Sequence, residues 1–334
     1  MMRRLPLLIA LSAMTIFACF FACFRTDQKS VGPAKEVTIA YSATTDAVLA
    51  EVAFSRGYYR EEGLEAVVHK HPNGSPALQE VLDGKADFAT VAETPVMFAI
   101  MRGEKISIIA TIQTSRRVNA IIARKDKGIL SPKDLKGRKI AATSCTTSAF
   151  FLDAMLATHG ISKKAVKIIN LKANEIPAAL ANGDVEAASA FSTYINFAQK
   201  ALGGRGIAFY GEDIYTSTFN VVTKQEFILK NPRKVEKMLR ALVKAEEFVK
   251  QNPGEAQKIV AGFSGMDTAI VRNIWANTSF NVSLDQSLLL ALEDETRWAI
   301  KDGMVRKTNI PNYLDFIYFD GLASVKPKAV TILR

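Results

Sequence analysis

Residues 131–160 read SPKDLKGRKIAATSCTTSAFFLDAMLATHG, and the order of signals in them decides the fold. Ser131 stands where a helix cap belongs, Pro132 takes the first helical position, and Asp134 supplies a capping-box carboxylate. RKIAAT is an apolar run of strand length that ends in hydroxyls. The spacing of TTSAFFLDAMLATHG then predicts a helix stopping at Gly160. Strand, hydroxyl-rich turn and helix form one unit, and the unit recurs.

Upstream, EVTIAYS (36–42), LEAVVHKH (64–71), ADFATVAE (86–93) and KISIIATI (105–112) read as strands. Helical spacing separates them. Ser75 caps and Pro76 opens one helix, Thr94 and Pro95 start another, and Gly103 ends the second. Downstream the alternation restarts at NAIIARK (119–125) and continues through VKIINL (166–171), VEAASAFS (185–192), IAFYG (207–211) and FNVVTK (219–224). Beyond Gln225 the chain reads as helix throughout, including a long segment from Pro232 to Gln251.

Alternating strands and helices predict an α/β protein with mainly parallel sheets covered by helices. Two blocks, about 36–112 and 119–210, predict two lobes. The helical tail is expected on the first lobe, so the chain crosses between lobes twice, near 115–119 and 211–219. Two crossings make a hinge with a cleft. The expected segmentation is a leader at 1–23, a linker at 24–35, a first lobe from 36–116 and 218–334, and a second lobe from 117–217 that includes the crossings.

The first residues, MMRRLPLLIALSAMTIFACFFACF, have the layout of an export signal: two arginines, an apolar core, then small residues. Cys19 and Cys23 each follow alanine, as a lipoprotein signal requires, although Phe17 and Phe21 stand where such signals prefer smaller side chains. A cleaved leader, a lipidated Cys19 or Cys23, and an uncleaved anchor spanning 5–24 all remain open. Each places the protein outside the cytoplasm, in the periplasm or attached to the membrane.

The formal net charge of +10 favours anionic surroundings. Lys and Arg are nevertheless scattered along helix exteriors such as KNPRKVEKMLRALVKAEEFVK, without the clustering and groove-reading motifs of a nucleic-acid module. Cys145 is the one cysteine after the leader, so no internal disulfide is expected. His69, His71 and His159 have no zinc spacing, and neither metal nor cofactor is expected.

Ligands of open α/β sheets bind beyond the carboxyl ends of strands. The residues there are Tyr41, Ser42, Thr44 and Thr45; Asn73, Gly74 and Ser75; Glu93 and Thr94; Gln113 and Thr114; Thr143 to Ser148; and Ser192 to Tyr194. Nearly all are uncharged hydrogen-bonding groups, several at helix N-termini whose free N–H groups attract anions. Catalysis by Ser144, Cys145 or Ser148 needs a base in reach. His159 lies at the far end of the following helix, about 15 Å away. Thr146, Thr147 and Ser148 therefore read as a cradle, and Cys145 as a small residue packed at the turn.

AETPVMFAIMRGEKISIIATI, SPKDLKGRKIA with its hydroxyl-rich helix start, ALANGDVEAASAF, LDQSLLLALEDETRWAIKDGM and PNYLDFIYFDGLASVKP carry a resemblance. From Val37 almost to the end, the chain resembles solute-binding proteins of the nitrate/sulfonate/taurine class of ABC importers, a group that also includes thiamine-precursor pyrimidine binders. The resemblance implies a type II two-lobed periplasmic-binding fold that closes on a ligand and docks on a membrane permease. It implies pocket positions at Ser42, Thr44, Gly74, Ser75, Ala92 to Thr94, Thr146, Thr147, Phe191 and Tyr194. Two departures stand out: Cys145 replaces a common glycine, and AFSTY replaces a Trp-Glu-Pro-like segment.

The expected ligand-binding set is thus Ser42, Thr44, Gly74, Ser75, Glu93, Thr94, Gln113, Thr146, Thr147, Ser148, Phe191, Tyr194 and Tyr215, with no catalytic residue. Glu93 would pair with an ammonium or a heterocycle, or simply cap a helix. Arg116 and Arg117 would offer counter-charge or sit exposed at the hinge, and Tyr41, Phe191, Tyr194 and Tyr215 would form an apolar wall. The expected function is capture of a small polar solute (a sulfonate, a nitrate-like anion, an aminosulfonate or a heterocycle) by a monomer that delivers it to an ABC permease. Alternatives are a ligand-sensing module for a membrane receptor and a pyrimidine-synthase-like enzyme. The synthase, as the resemblance implies it, needs a cysteine-rich motif and a reactive histidine. A transcription regulator would carry a helix-turn-helix where the export signal stands.

Overall fold

The computed structural model describes residues 35–333; the leader, Cys19 and Cys23 lie outside the described residues. The strands are β1 (Lys35–Ser42), β2 (Leu64–His71), β3 (Phe88–Ala92), β4 (Ile106–Ser115), β5 (Asn119–Arg124), β6 (Lys139–Ala142), β7 (Lys167–Asn170), β8 (Ala187–Phe191), β9 (Gly206–Tyr210), β10 (Ser217–Lys224) and β11 (Thr278–Ser279). They form a six-stranded sheet, ordered β11-β4-β10-β3-β1-β2, and a five-stranded sheet, ordered β7-β6-β8-β5-β9.

Burial follows the residue pattern. NAIIAR of β5 is buried throughout because both faces of the second sheet are covered. Its side chains alternate: Ala120 and Ile122 enter one apolar cluster, Ile121 and Ala123 the other. The edge strand β7 carries Lys167 and is mostly exposed, which discourages further strand addition.

The sheets are mixed rather than mainly parallel. β1–β2, β1–β3, β6–β7 and β6–β8 pair parallel, whereas β10 runs antiparallel to β3 and β4, and β5 antiparallel to β8 and β9. The cause is the crossing of the chain. A strand arriving from the other sheet enters at the cleft end, opposite in direction to strands that start at the far end. β4 leads into β5 and β9 into β10, and the two crossings are neighbours, since Ser115 pairs with Ser217.

Seven helices matter for the site: α1 (Val48–Ser55), α2 (Gly74–Leu82), α3 (Glu93–Arg102), α4 (Thr147–Thr158), α5 (Thr193–Leu202), α6 (Pro232–Gln251) and α7 (Gln286–Lys301). α6 buries Val235, Met238, Leu239, Leu242, Ala245 and Val249 at helical spacing, against the core of the first sheet. Each such large aliphatic burial contributes roughly 1.5–3 kcal/mol before entropy is subtracted. Glu246, on the same helix, is buried but bonded by Lys326 Nζ at 2.6 Å and by the Val282 amide at 2.8 Å, so the C-terminal segment is tied to the first sheet.

Three local expectations change. Asn73, not Ser75, caps α2 by accepting from the Ser75 amide at 3.1 Å. α3 begins at Glu93 after Ala92, one residue before Thr94. The region after Gln225 is not helical throughout, because Thr278–Ser279 joins the first sheet beside β4. Among the described residues no helix is long and apolar enough to cross a membrane.

Candidate functional site

A cavity that opens to solvent lies between the sheets. From the first sheet it is lined by Ser42, Thr44 and Asp46 beyond β1, Asn73, Gly74 and Ser75 beyond β2, Ala92 and Pro95 around the end of β3, Gln113 of β4, and Ser217, Thr218 and Phe219 of β10. Val118, Thr146, Thr147, Phe191 and Ser192 approach from the second-sheet side. The starts of α2, α3 and α4 converge here. Gly74 is required by space, since a Cβ there would stand 2.8 Å from Val91 Cα.

A carboxylate outside the expected ligand-binding set, Asp46, sits in this wall. Asp46 is 4% exposed. Its Oδ2 accepts from Thr44 Oγ1 at 2.9 Å and from Ser192 Oγ, and Gln113 Nε2 donates to Oδ1 at 3.3 Å. The Ser192 bond spans the two sheets. Ser192 pays for its position with a left-handed backbone, φ 47°, rare for a residue with a side chain. Burial raises the Asp46 pKa, and the hydrogen bonds from Ser192, Thr44 and Gln113 oppose the rise.

Ser42, Thr44, Gly74, Ser75, Gln113, Thr146, Thr147 and Phe191 line the cavity. Glu93, Thr94, Ser148, Tyr194 and Tyr215 stand behind or beside it. Glu93 is fully buried and accepts from Ser217 Oγ at 3.0 Å, from the Thr218 amide at 2.9 Å and from Thr218 Oγ1 at 3.2 Å, so it fixes two lining residues from behind. Thr94 Oγ1 donates to Glu295 Oε1 at 2.5 Å. Burial raises the pKa of both Glu93 and Glu295, and the neighbouring Glu93 charge raises Glu295 further. Ser148 Oγ accepts from the Thr143 amide at 3.1 Å within the turn. Tyr194 donates to the Pro72 carbonyl at 3.1 Å, a second bond between the sheets. Tyr215 accepts from Asn119 Nδ2 at 2.8 Å and packs edge-on to Phe150.

Tyr41 is no wall residue. It is fully buried and donates to the Ala50 carbonyl at 2.7 Å. Cys145 is exposed rather than packed, and its φ of 57° explains why glycine suits that position. Arg117 bridges to Glu212 at 3.1 Å and stacks on Tyr210, and Arg116 donates to Thr216, so both serve the crossings. Among the described residues no group of three or more His, Cys, Asp or Glu side chains is placed to hold a metal ion.

Sequence reasoning missed Asp46, Val118, Ser217 and Thr218. Asp46 was within reach, two positions beyond Thr44 at the end of β1. Ser217 and Thr218 were not, because β10 is antiparallel and its amino end, not its carboxyl end, faces the cleft.

With this architecture, residues 45–256 match the model of the NMT1/THI5 like family. The chain belongs to the NMT1/THI5-like family. Within reach of the family, a Bacillus subtilis (strain 168) protein named for aliphatic sulfonate binding is 25% identical over 289 residues, 84% of this chain and 86% of its own. The taurine-binding periplasmic protein of Escherichia coli (strain K12) is 25% identical over 219 residues, 64% of this chain and 66% of its own. The alkanesulfonate-binding protein SsuA from Xanthomonas axonopodis pv. citri, solved bound to MOPS, superposes with a TM-score of 0.75 at 17% identity, covering 86% of this chain and 99% of that one. The fold is the two-lobed periplasmic-binding-protein fold.

Proposed function

We propose that the protein is an extracytoplasmic solute-binding component of an ABC importer. It captures a small polar solute by closure of two lobes and delivers it to a membrane permease. Residues 36–116 with 218–334 act as one lobe and 117–217 as the other, turning about the paired crossings at Ser115 and Ser217. The export signal carries it out of the cytoplasm, with a cleaved leader, a lipidated Cys19 or Cys23, or a retained anchor as the alternative fates of the first residues.

The observation that carries this reading is the cavity itself: it lies between two sheets joined by two adjacent crossings and takes polar groups from both. A solute bonded to Ser42, Ser75 or Thr218 on one side and Thr146 or Thr147 on the other gains more in the closed form than in the open one. Its differential affinity raises the closed population. The amide-rich starts of α2 and α4 suit an oxyanion. Glu93 supports the wall without touching the solute. His159 follows the far end of α4, away from Ser144, Cys145 and Ser148, which supports a solute that is held and released unchanged. The relatives named for sulfonate and taurine binding support the solute class.

Thermal unfolding with a panel of sulfonates, taurine, nitrate and aminopyrimidines tests the function. A ligand at a hundred times its Kd adds about 2.7 kcal/mol, which raises Tm by several degrees. Small-angle scattering should report a smaller radius of gyration with the same ligand. A panel in which nothing raises Tm overturns the reading.

A further inference from the structure

Asp46 is a buried carboxylate in the cavity wall, and no cation pairs with it among the described residues. Buried charges are ordinarily paired, because removal from water is costly without a counter-charge. The hydroxyls around Asp46 also have a direction. Thr44 and Ser192 each give their single proton to Oδ2. Thr44 then accepts from Ser42 at 3.0 Å. Protons along Ser42, Thr44 and Ser192 all point toward the carboxylate, so these oxygens turn lone pairs to the cavity. This wall accepts hydrogen bonds. An oxyanion placed against it meets a negative group and no free hydroxyl proton, with the Gln113 amide already turned to Asp46 at 3.3 Å, whereas an ammonium finds the missing counter-charge.

We propose that Asp46 recognises a cationic N–H donor group of the solute, so that the site takes small zwitterionic amines, such as aminosulfonates, in preference to bare anions. This rests on the solute-binding reading above and names the solute within it. The ammonium sits between Asp46 and the lone pairs of Ser42 and Ser192. The oxyanion points away, toward the starts of α2 and α4. Because Asp46 is also bonded to Ser192, the ammonium binds where the sheets already touch, and charge recognition and closure act on one contact.

Calorimetric titration of the full chain with two matched pairs tests this: taurine against ethanesulfonate, and 2-aminoethylphosphonate against ethylphosphonate. The proposal expects the amine of at least one pair to bind tenfold or more tightly than its amine-free partner. Asp46→Asn, nearly isosteric, should weaken that amine tenfold or more while leaving the amine-free anion equal or tighter. Equal binding within the pairs, or an Asp46→Asn protein that keeps the preference, overturns the Asp46 assignment and leaves solute binding standing. Silence of the wild-type protein toward all four compounds overturns the proposal. Silence also toward the wider thermal-unfolding panel removes the solute-binding function with it. The wild-type comparison decides the matter even if the variant folds poorly.

Discussion

Trp298 Nε1 donates to Asp153 Oδ2 at 2.6 Å, joining α7 on the first sheet to α4 on the second. Lys163 reaches the same oxygen and Asp302, each at 2.6 Å, and the Phe150 ring lies between Trp298 and Tyr215. The two lobes therefore touch at a cluster that contributes nothing to the cavity lining. Trp298→Phe removes the donor and keeps the ring contact. A hydrogen bond to a charged group is worth about 1.5–3 kcal/mol, roughly ten- to hundredfold in the closed–open ratio. The variant should show a larger radius of gyration in scattering, with cavity residues unchanged.

Tyr194 and Pro72 supply a second inter-sheet bond, at the side of the cavity. Tyr194→Phe deletes the hydroxyl and preserves packing against Phe191 and Phe197. A neutral hydrogen bond contributes about 0.5–1.5 kcal/mol, so solute release should accelerate roughly two- to tenfold. Stopped-flow displacement reads this directly. An unchanged release rate would remove Tyr194 from the closing contacts.

Gly74 opens α2 against the backbone of β3. A methyl group 2.8 Å from Val91 Cα cannot be accommodated by rotating a side chain, because the neighbour is main chain. Gly74→Ala should cost about 1–3 kcal/mol through overpacking. The displaced helix start would also narrow the cavity. A lowered urea midpoint together with weakened solute affinity is expected; wild-type values for both would contradict the geometry.

Glu51 in α1 is 1% exposed, and its Oε2 has no hydrogen-bond partner. Burial pushes its pKa up to about 9, with Lys70 pulling in the other direction. In the unfolded chain the carboxyl loses its proton near 4.5. Between these values the folded state holds one more proton than the unfolded state, so this group's contribution to stability declines as pH rises from about 4.5 to about 9. Glu51→Gln cannot ionise. Urea midpoints at pH 5, 7 and 9 should fall less steeply in the variant, which should be at least as stable as wild type at pH 9.

Much of the architecture was legible in local pattern. Apolar runs such as KISIIATI and the capping box at Ser131 and Asp134 are signals carried by neighbouring residues, and both appear where expected. Helix starts slipped by a residue or two at Asn73 and Ala92, since Asn–x–Ser and Ala–Glu compete as caps and only the backbone settles which amides need partners. The cavity was half legible. Strand ends pointed to Ser42, Gln113 and Thr146, but Glu93 and Thr94, adjacent to the same edge, turn into the core toward Thr218 and Glu295.

Sequence by itself determined the alternation of strands and helices, the two blocks, and the places where hydroxyls gather after strands, because all three depend on residues close in the chain. Tertiary structure alone decided strand direction at the crossings, the presence of Ser217 and Thr218 in the wall, and the meeting of Asp46 with Ser192 across 146 positions. Those depend on how two sheets face one another, and a side chain's charge environment is set by whatever arrives from the opposite sheet.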